Sequence, residues 1–293
     1  MEQEPTIEEE PKFHFGGIDF YGIESSEIKL PQNMPMEGDL IDKSYIENIV
    51  VPFIENQVKD NKYYRVRGNK YSIGNRIFII VDASDQEPEK LYEDVKKIEK
   101  QVPDLSVKNK DLFAQWEKEL EHVFELDRSG SEDYEENYKE LNRIEEKIRQ
   151  EFNRDKEAVD NIKEIIKSGA GTDLSEAIFL CHWTPKDDID IVKLLEAFIL
   201  HPDSEIRNNA SRSILYNYTH ELDKVDIHKF LKQMQLPFHT DRNKALYVLE
   251  AYSKQPRYLE ELLKYKRIFE KFSKAKMPNI AQPAKGILEN ITR

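Results

Sequence analysis

One helix-turn-helix phrase occurs twice in this chain, and that repetition constrains the fold more than any other feature. The first copy runs IVKLLEAFILHPDSEIRNNASRSIL, from Ile191 to Leu215; the second centres on HTDRNKALYVLEAY, from His239 to Tyr252. Set on Ala210 and Ala245, the copies put Arg207 over Arg242 and Asn208 over Asn243. The offset is about 35 residues, the period of a stacked helical array. One such helix pair cannot bury its apolar stripe alone; stacking on a neighbour buries it. Ala210 and Ala245 allow close helix approach, and Ile214, Leu215, Val248 and Leu249 fill the layer. Asp203 stands near a helix start, where a carboxylate caps free amides and complements the dipole. Arg207 and Arg242 are placed to bridge to a carboxylate or carbonyls of the adjacent turn, a polar ladder between repeats. The segment around Ala284 and Leu288 keeps the small-then-large pattern but has Ala281 where Arg is expected, as a terminal cap would.

The rest of the chain divides by pattern. Residues 1–12 are rich in Glu and Pro and poor in apolar side chains, which predicts a disordered acidic tail. Residues 13–83 read as a small α+β module. Phe13, Phe15, Ile18 and Phe20 give an apolar rhythm broken at Gly16-Gly17, a strand with a glycine bulge. Ser25 and Ser26 open a short helix. From about Asp42, Ile46, Ile49, Val50, Phe53, Ile54 and Val58 fall at helical spacing, with Pro52 kinking or splitting that helix. Tyr64, Val66, Ile77, Ile79 and Val81 alternate among Gly-Asn turn signals, a β-hairpin. The order is β-α-α-β-β. Residues 84–110 read as a linker with a short helix over 88–100. Residues 111–168 read as long helices, one over 111–126 and one or two over 131–166. Gly169 and Gly171 stop them. Residues 169–293 carry the repeats, with helices expected near 173–183, 187–200, 203–218, 225–234, 239–254, 256–274 and 278–291.

Composition limits the function classes. Of 293 residues, 34% are charged and 39% hydrophobic, which builds thin cores with wide solvated faces, as helical stacks have. The net charge of -13 repels phosphate over most of the surface, so nucleic-acid binding is not expected. No run of about 18 apolar residues occurs, so no membrane insertion is expected. The single cysteine, Cys181, rules out an intrachain disulfide.

LLEAFILHPDSEIRNNASRSIL resembles a HEAT repeat, with its apolar helix, Asp-Arg pair and following Ala and Leu. The N-terminal order, with IDFYG, IKLPQNMPMEGD and then the hairpin, is similar to a polypeptide-transport-associated (POTRA) domain, whose Gly- and Asp-rich loop corresponds to Met36–Asp39 here. The pair together resembles a group of bacterial HEAT-repeat proteins sharing phrases like Arg207–Ala210 and Thr240–Ala245. The resemblance implies an α+β N-terminal module followed by an all-α HEAT-like superhelix. It also implies export to the periplasm behind a signal ahead of Met1, with a cytoplasmic location as the alternative. The group implies no catalytic residue.

No catalytic, metal-binding or cofactor-binding constellation stands out, so the chain reads as a non-enzymatic scaffold with a protein or peptide partner. Asp187, Asp188 and Asp190 read as a charged first helical turn after Pro185. In Cys181-His182, adjacent helical residues point about 100° apart, one to core and one to rim. Arg207 and Arg242 are inter-repeat candidates. Asn208, Asn209 and Asn243 either bond to the preceding turn or face a concave groove and grip a peptide backbone. Trp183 either belongs to the core or contacts a partner. Two alternatives remain: a HEAT-like DNA-base glycosylase, which needs a basic groove with Trp and Asp at its centre, and an envelope assembly factor.

Overall fold

The computed structural model describes residues 12–23, 25–57, 63–71, 75–84, 92, 110–129, 134–169 and 173–293. Strands β1 (Lys12–Tyr21), β2 (Leu40–Asp42), β3 (Tyr63–Tyr71) and β4 (Arg76–Ser84) form one sheet in the order β2-β1-β4-β3. β1 runs parallel to β4, and the other neighbours are antiparallel. Most of the expected acidic tail and the helix over 88–100 lie outside the described residues. Lys12 and Ser84 belong to strands, which corrects the edges of the tail and the linker.

The glycine bulge in β1 decides which way the sheet faces. Phe15 pairs with Ile77 and Gly17 with Phe78, leaving Gly16 as the extra residue. Side chains alternate along a strand, so one extra residue inverts the faces beyond it. Phe13 and Phe15 before the bulge, and Ile18 and Phe20 after it, therefore share a face with Ile77, Ile79 and Val81. Asp19 and Tyr21 join Phe78, Ile80 and Asp82 on the other.

The first face is covered by α1 (Lys43–Tyr45), a π-helical turn (Ile46–Val50) and α2 (Val51–Glu55). Pro52 lies in the first turn of α2, where a missing N–H is tolerated. A 3-10 turn, Ser25–Glu27, stands where the short helix was expected. The edge strand β2 has no counterpart in the β-α-α-β-β reading. It is three residues long with no buried side chain, so it leaves no alternation to detect.

The other face packs against helices. The helical part comprises α3 (Lys110–Ser129), α4 (Tyr134–Arg154), α5 (Lys156–Ser168), α6 (Leu174–Leu180), α7 (Ile189–Glu196), α8 (Ser204–Asn217), α9 (Ile227–Gln233), α10 (His239–Ser253), α11 (Leu259–Leu263), α12 (Lys266–Phe272) and α13 (Pro278–Ile291). Helices α6, α8, α10 and α13 contact one another in that order, and α5, α7, α9 and α12 each contact the helix that follows. The stretch over 131–166 is two helices. Asp155 leaves helical geometry and its carboxylate accepts from the Ala158 N–H at 3.1 Å, capping α5. Gly169 ends α5 in the left-handed region at φ 62. The helix expected over 256–274 is three pieces: a 3-10 turn (Pro256–Tyr258), α11 and α12. Tyr265 leaves helical geometry between the last two, with no Gly or Pro there to announce it.

Tyr21, Phe78 and Ile80 of the sheet belong to the same buried cluster as the helical layers. The sheet is thus sandwiched between the short helical segment of residues 43–55 and the helical part. Among the described residues, no helix is long and apolar enough to cross a membrane.

Candidate interaction surface

The two copies of the repeated phrase supply the same polar device. Arg207 donates from Nε and Nη2 to both Asp241 oxygens, at 3.0 and 2.8 Å. Its Nη1 donates to the carbonyls of His201 and Pro202, at 2.6 and 2.7 Å. The guanidinium carbon lies 4.2 Å from the Tyr92 ring centroid and 5.4 Å from that of Phe238. Arg242 repeats this one layer on. It donates from Nη2 to Asp82 at 2.7 Å and to the Leu236 carbonyl at 3.2 Å. Its guanidinium carbon lies 3.7 Å from the Tyr21 ring and 5.6 Å from Phe272. The residue one period beyond Asp241 is Lys276, so the helices provide no second acid. Strand β4 provides it as Asp82. The sheet thereby continues the ladder and stands where a further repeat would stand. Asp19 completes the joint: its carboxylate accepts from the Lys276 and Met277 N–H groups, at 2.6 and 2.9 Å, at the start of α13. Burial still raises the Asp19 carboxyl above its usual range, and those amide bonds oppose the shift.

Both arginines are therefore structural, 0 and 3% exposed. So is Asn209, which donates to Ser175. Ser213 and Asn217 follow it one and two turns on, bonding the carbonyls of Ile178, Cys181 and Thr184 and stitching α8 to α6. Asp203 caps α8 by accepting from the Glu205 and Ile206 N–H groups. Asp188 caps α7 and pairs with Lys163. Trp183 is fully buried, stacked edge-on with Trp116 and Phe179. Of its two readings, core or partner contact, the side chain takes the core one, in the turn that follows α6. A glycosylase pocket built around it would need it exposed. Cys181 is buried too, and burial pushes its thiol far above the ordinary range.

Asn208 and Asn243 differ. Both are half-buried. Asn208 makes no hydrogen bond among the described residues, and the Asn243 side-chain oxygen is buried without a partner. On α8, Asn208 heads a row with Arg212 and Tyr216 at i, i+4 and i+8, one face of the helix. Tyr216 is exposed at 56%. From α10, Lys244 reaches over this row, its ammonium 5.8 Å from the Tyr216 ring. Arg149 of α4 lies at the far end, bonded to the Asn217 side-chain oxygen.

Arg212 and Lys244 are set apart by what they lack. Among the described residues neither has a carboxylate within ion-pair distance. Burial lowers the Arg212 guanidinium from its ordinary value, against the pull of Tyr216. Burial, then the Arg212 charge, pulls the Lys244 ammonium down to about 8. His182, 5.5 Å from the Tyr216 ring, is held down to about 4 by burial and by Arg149, Arg212 and Lys186. Glu145, taken by the Trp116 indole N–H at 3.1 Å, is the acid at this end.

The sequence reading missed Arg212, Tyr216 and Lys244, yet a signal was present. Lys244 occupies in the second copy the position that Asn209 occupies in the first. One bonds the neighbouring helix; the other is a cation with no such bond. Departures between aligned copies mark places where the repeat is doing something besides stacking. Comparison with family models, curated proteins and solved structures gave no match.

Proposed function

We propose that this is a non-enzymatic binding protein built on HEAT-like repeats, and that its α8–α10 face receives an acidic stretch of a protein or peptide partner. One observation carries the reading: Arg212 and Lys244 are half-buried cations with no carboxylate at ion-pair distance among the described residues, in a chain of net charge -13. An unpaired cation held away from water is unfavourable, and an acidic ligand relieves it. Tyr216 adds an exposed aromatic surface beside them, and Asn208, half-buried and without a hydrogen bond among the described residues, adds an amide for a peptide backbone. The HEAT reading is supported by the paired layers and the repeated Arg–Asp ladder. The POTRA-like reading is supported by the helical segment over one face of a small sheet, although the β2 edge strand adds to the expected order.

The test is a fluorescence-anisotropy titration with a labelled peptide rich in Glu and Leu, run beside its Gln-for-Glu counterpart. The acidic peptide is expected to bind and to weaken as salt rises past the physiological range. Arg212→Gln and Lys244→Gln are expected to weaken it at least about tenfold together, since hydrogen bonds to charged groups are the stronger class. Lys264→Gln, exposed on another element, serves as control. Equal affinity for the acidic and the neutral peptide would falsify the reading.

A further inference from the structure

A cavity of about 270 Å³ opens where the sheet meets the helices. Met234, Ile268 and Phe272 give it an apolar wall, and Arg242, Arg267 and Lys271 give it three cations. Arg242 is buried while Arg267 and Lys271 are exposed one turn apart on α12, so the guanidinium belongs to its depth and the other two to its mouth.

The comparison of the two repeat copies singles this place out. Arg207 uses all three of its nitrogens, on Asp241 and on two carbonyls. Arg242, the same position one period on, bonds only through Nη2; its Nε and Nη1 are buried without a hydrogen bond. Buried donors left unmatched are uncommon and costly. Arg267 and Lys271 reach no carboxylate among the described residues. Asp82 is committed to Arg242, and the raised carboxyl of Asp19 lies near it, so the local balance stays positive beside an apolar wall.

We propose that this cavity binds a small organic acid: a carboxylate on a compact aliphatic or aromatic body. The carboxylate meets Arg267 and Lys271 at the mouth, with the Arg242 charge buried behind them, and the body lies on the apolar wall, the usual division of labour in a ligand pocket. The volume is at the small end for such sites, which favours a compact ligand. The lining is too apolar for a fully hydrated inorganic anion. The sheet contributes Tyr21, Gly22 and Ala83 and the helices the rest, so an occupant adds a contact across their junction. The site shares no residue with the Arg212–Lys244 face, and either can fail alone.

Isothermal titration calorimetry on the full chain, with hexanoate and benzoate as probes, tests it. One-to-one saturable binding is expected for at least one, with a rise in Tm that follows mass action. The Arg267→Ala/Lys271→Ala double variant changes only exposed side chains; it is expected to keep the unliganded Tm and to bind at least about tenfold more weakly. Hexanol binding as tightly as hexanoate would mean an apolar void only and overturns the proposal. So would inorganic phosphate binding as tightly as either probe, an unaffected double variant, or no saturable binding by either carboxylate.

Discussion

Arg207 and Asp241 form a bidentate pair with almost no exposure, and such pairs are asymmetric in energy. Their formation barely repays desolvation, yet removing one partner strands the other. Arg207→Ala is therefore expected to cost about 3–5 kcal/mol, read as a lowered urea midpoint at unchanged slope. Arg207→Lys is expected to recover little, because an ammonium cannot make the fork or lie flat against Tyr92. Titration gives a second test at this scale. His239 is held down to about 3, chiefly by burial and then by Arg67, Arg242 and Lys244. Below pH 6.5 the unfolded chain takes up a proton that the folded chain refuses, so stability falls as the pH drops from about 6.5 towards 3. His239→Gln is expected to flatten that slope in urea melts from pH 7 to 4. Lys244 works in the alkaline range. Its folded value near 8 lies below the unfolded one, so its cost is fully present below pH 8 and is relieved as the pH rises towards 10.5. Lys244→Met is expected to raise stability at pH 7 and to remove that alkaline gain; a lower midpoint at pH 7 would contradict the view that this charge is unpaired.

At the scale of elements, the β1 bulge shows how little sequence can redirect a sheet. Gly16 lies against the Phe78 ring so closely that a Cβ there would run into it, and the ring, packed between sheet and helices, cannot swing aside. Gly16→Ala is expected to destabilise by about 1–3 kcal/mol, the range for overpacking. Gly38→Ala, whose Cβ would meet nothing within 4 Å, is expected to cost only its backbone strain at φ 97. Thermal melts of the two variants separate these causes. The bulge was legible because Gly16-Gly17 interrupts an apolar alternation. The repeated helices were legible because Ala210 and Ala245 recur with their large neighbours. The break at Tyr265 and the strand at Leu40–Asp42 were not, since neither carries a breaker or a periodic apolar pattern. The candidate face was half legible. Asn208 and Asn243 stand out in the sequence as poor helix formers, whereas nothing in residue type or spacing sets Arg212 and Lys244 apart. Only their surroundings reveal that no acid among the described residues answers them, and a one-dimensional pattern does not report distances between helices.

The whole molecule turns on the joint between sheet and helices. Two acids of the sheet, Asp82 and Asp19, reach residues more than 150 positions away: Arg242, and the amides of Lys276 and Met277. Asp82 takes the place that Asp241 has in the preceding layer, so the sheet closes the stack by the stack's own rule. Long-range contacts of this kind make two parts unfold together, because breaking the joint exposes Tyr21, Phe78 and Ile80 along with α10, α12 and α13. Both tryptophans, Trp116 and Trp183, lie in the helical part and report on it alone. Asp82→Ala changes the sheet, whereas both indoles belong to the helical part. If the sheet were an independent module on a linker, this change would leave the tryptophan transition where it was. The shared core requires the opposite: the urea midpoint read by tryptophan fluorescence should fall, reporting a stability loss of about 3–5 kcal/mol, the cost of stranding a buried arginine. Pairing it with Arg242→Ala should show coupling, the double variant being less damaged than the two single losses add to. Additive losses, or an unmoved tryptophan transition, would separate the sheet from the stack and remove the reason for reading it as the final layer.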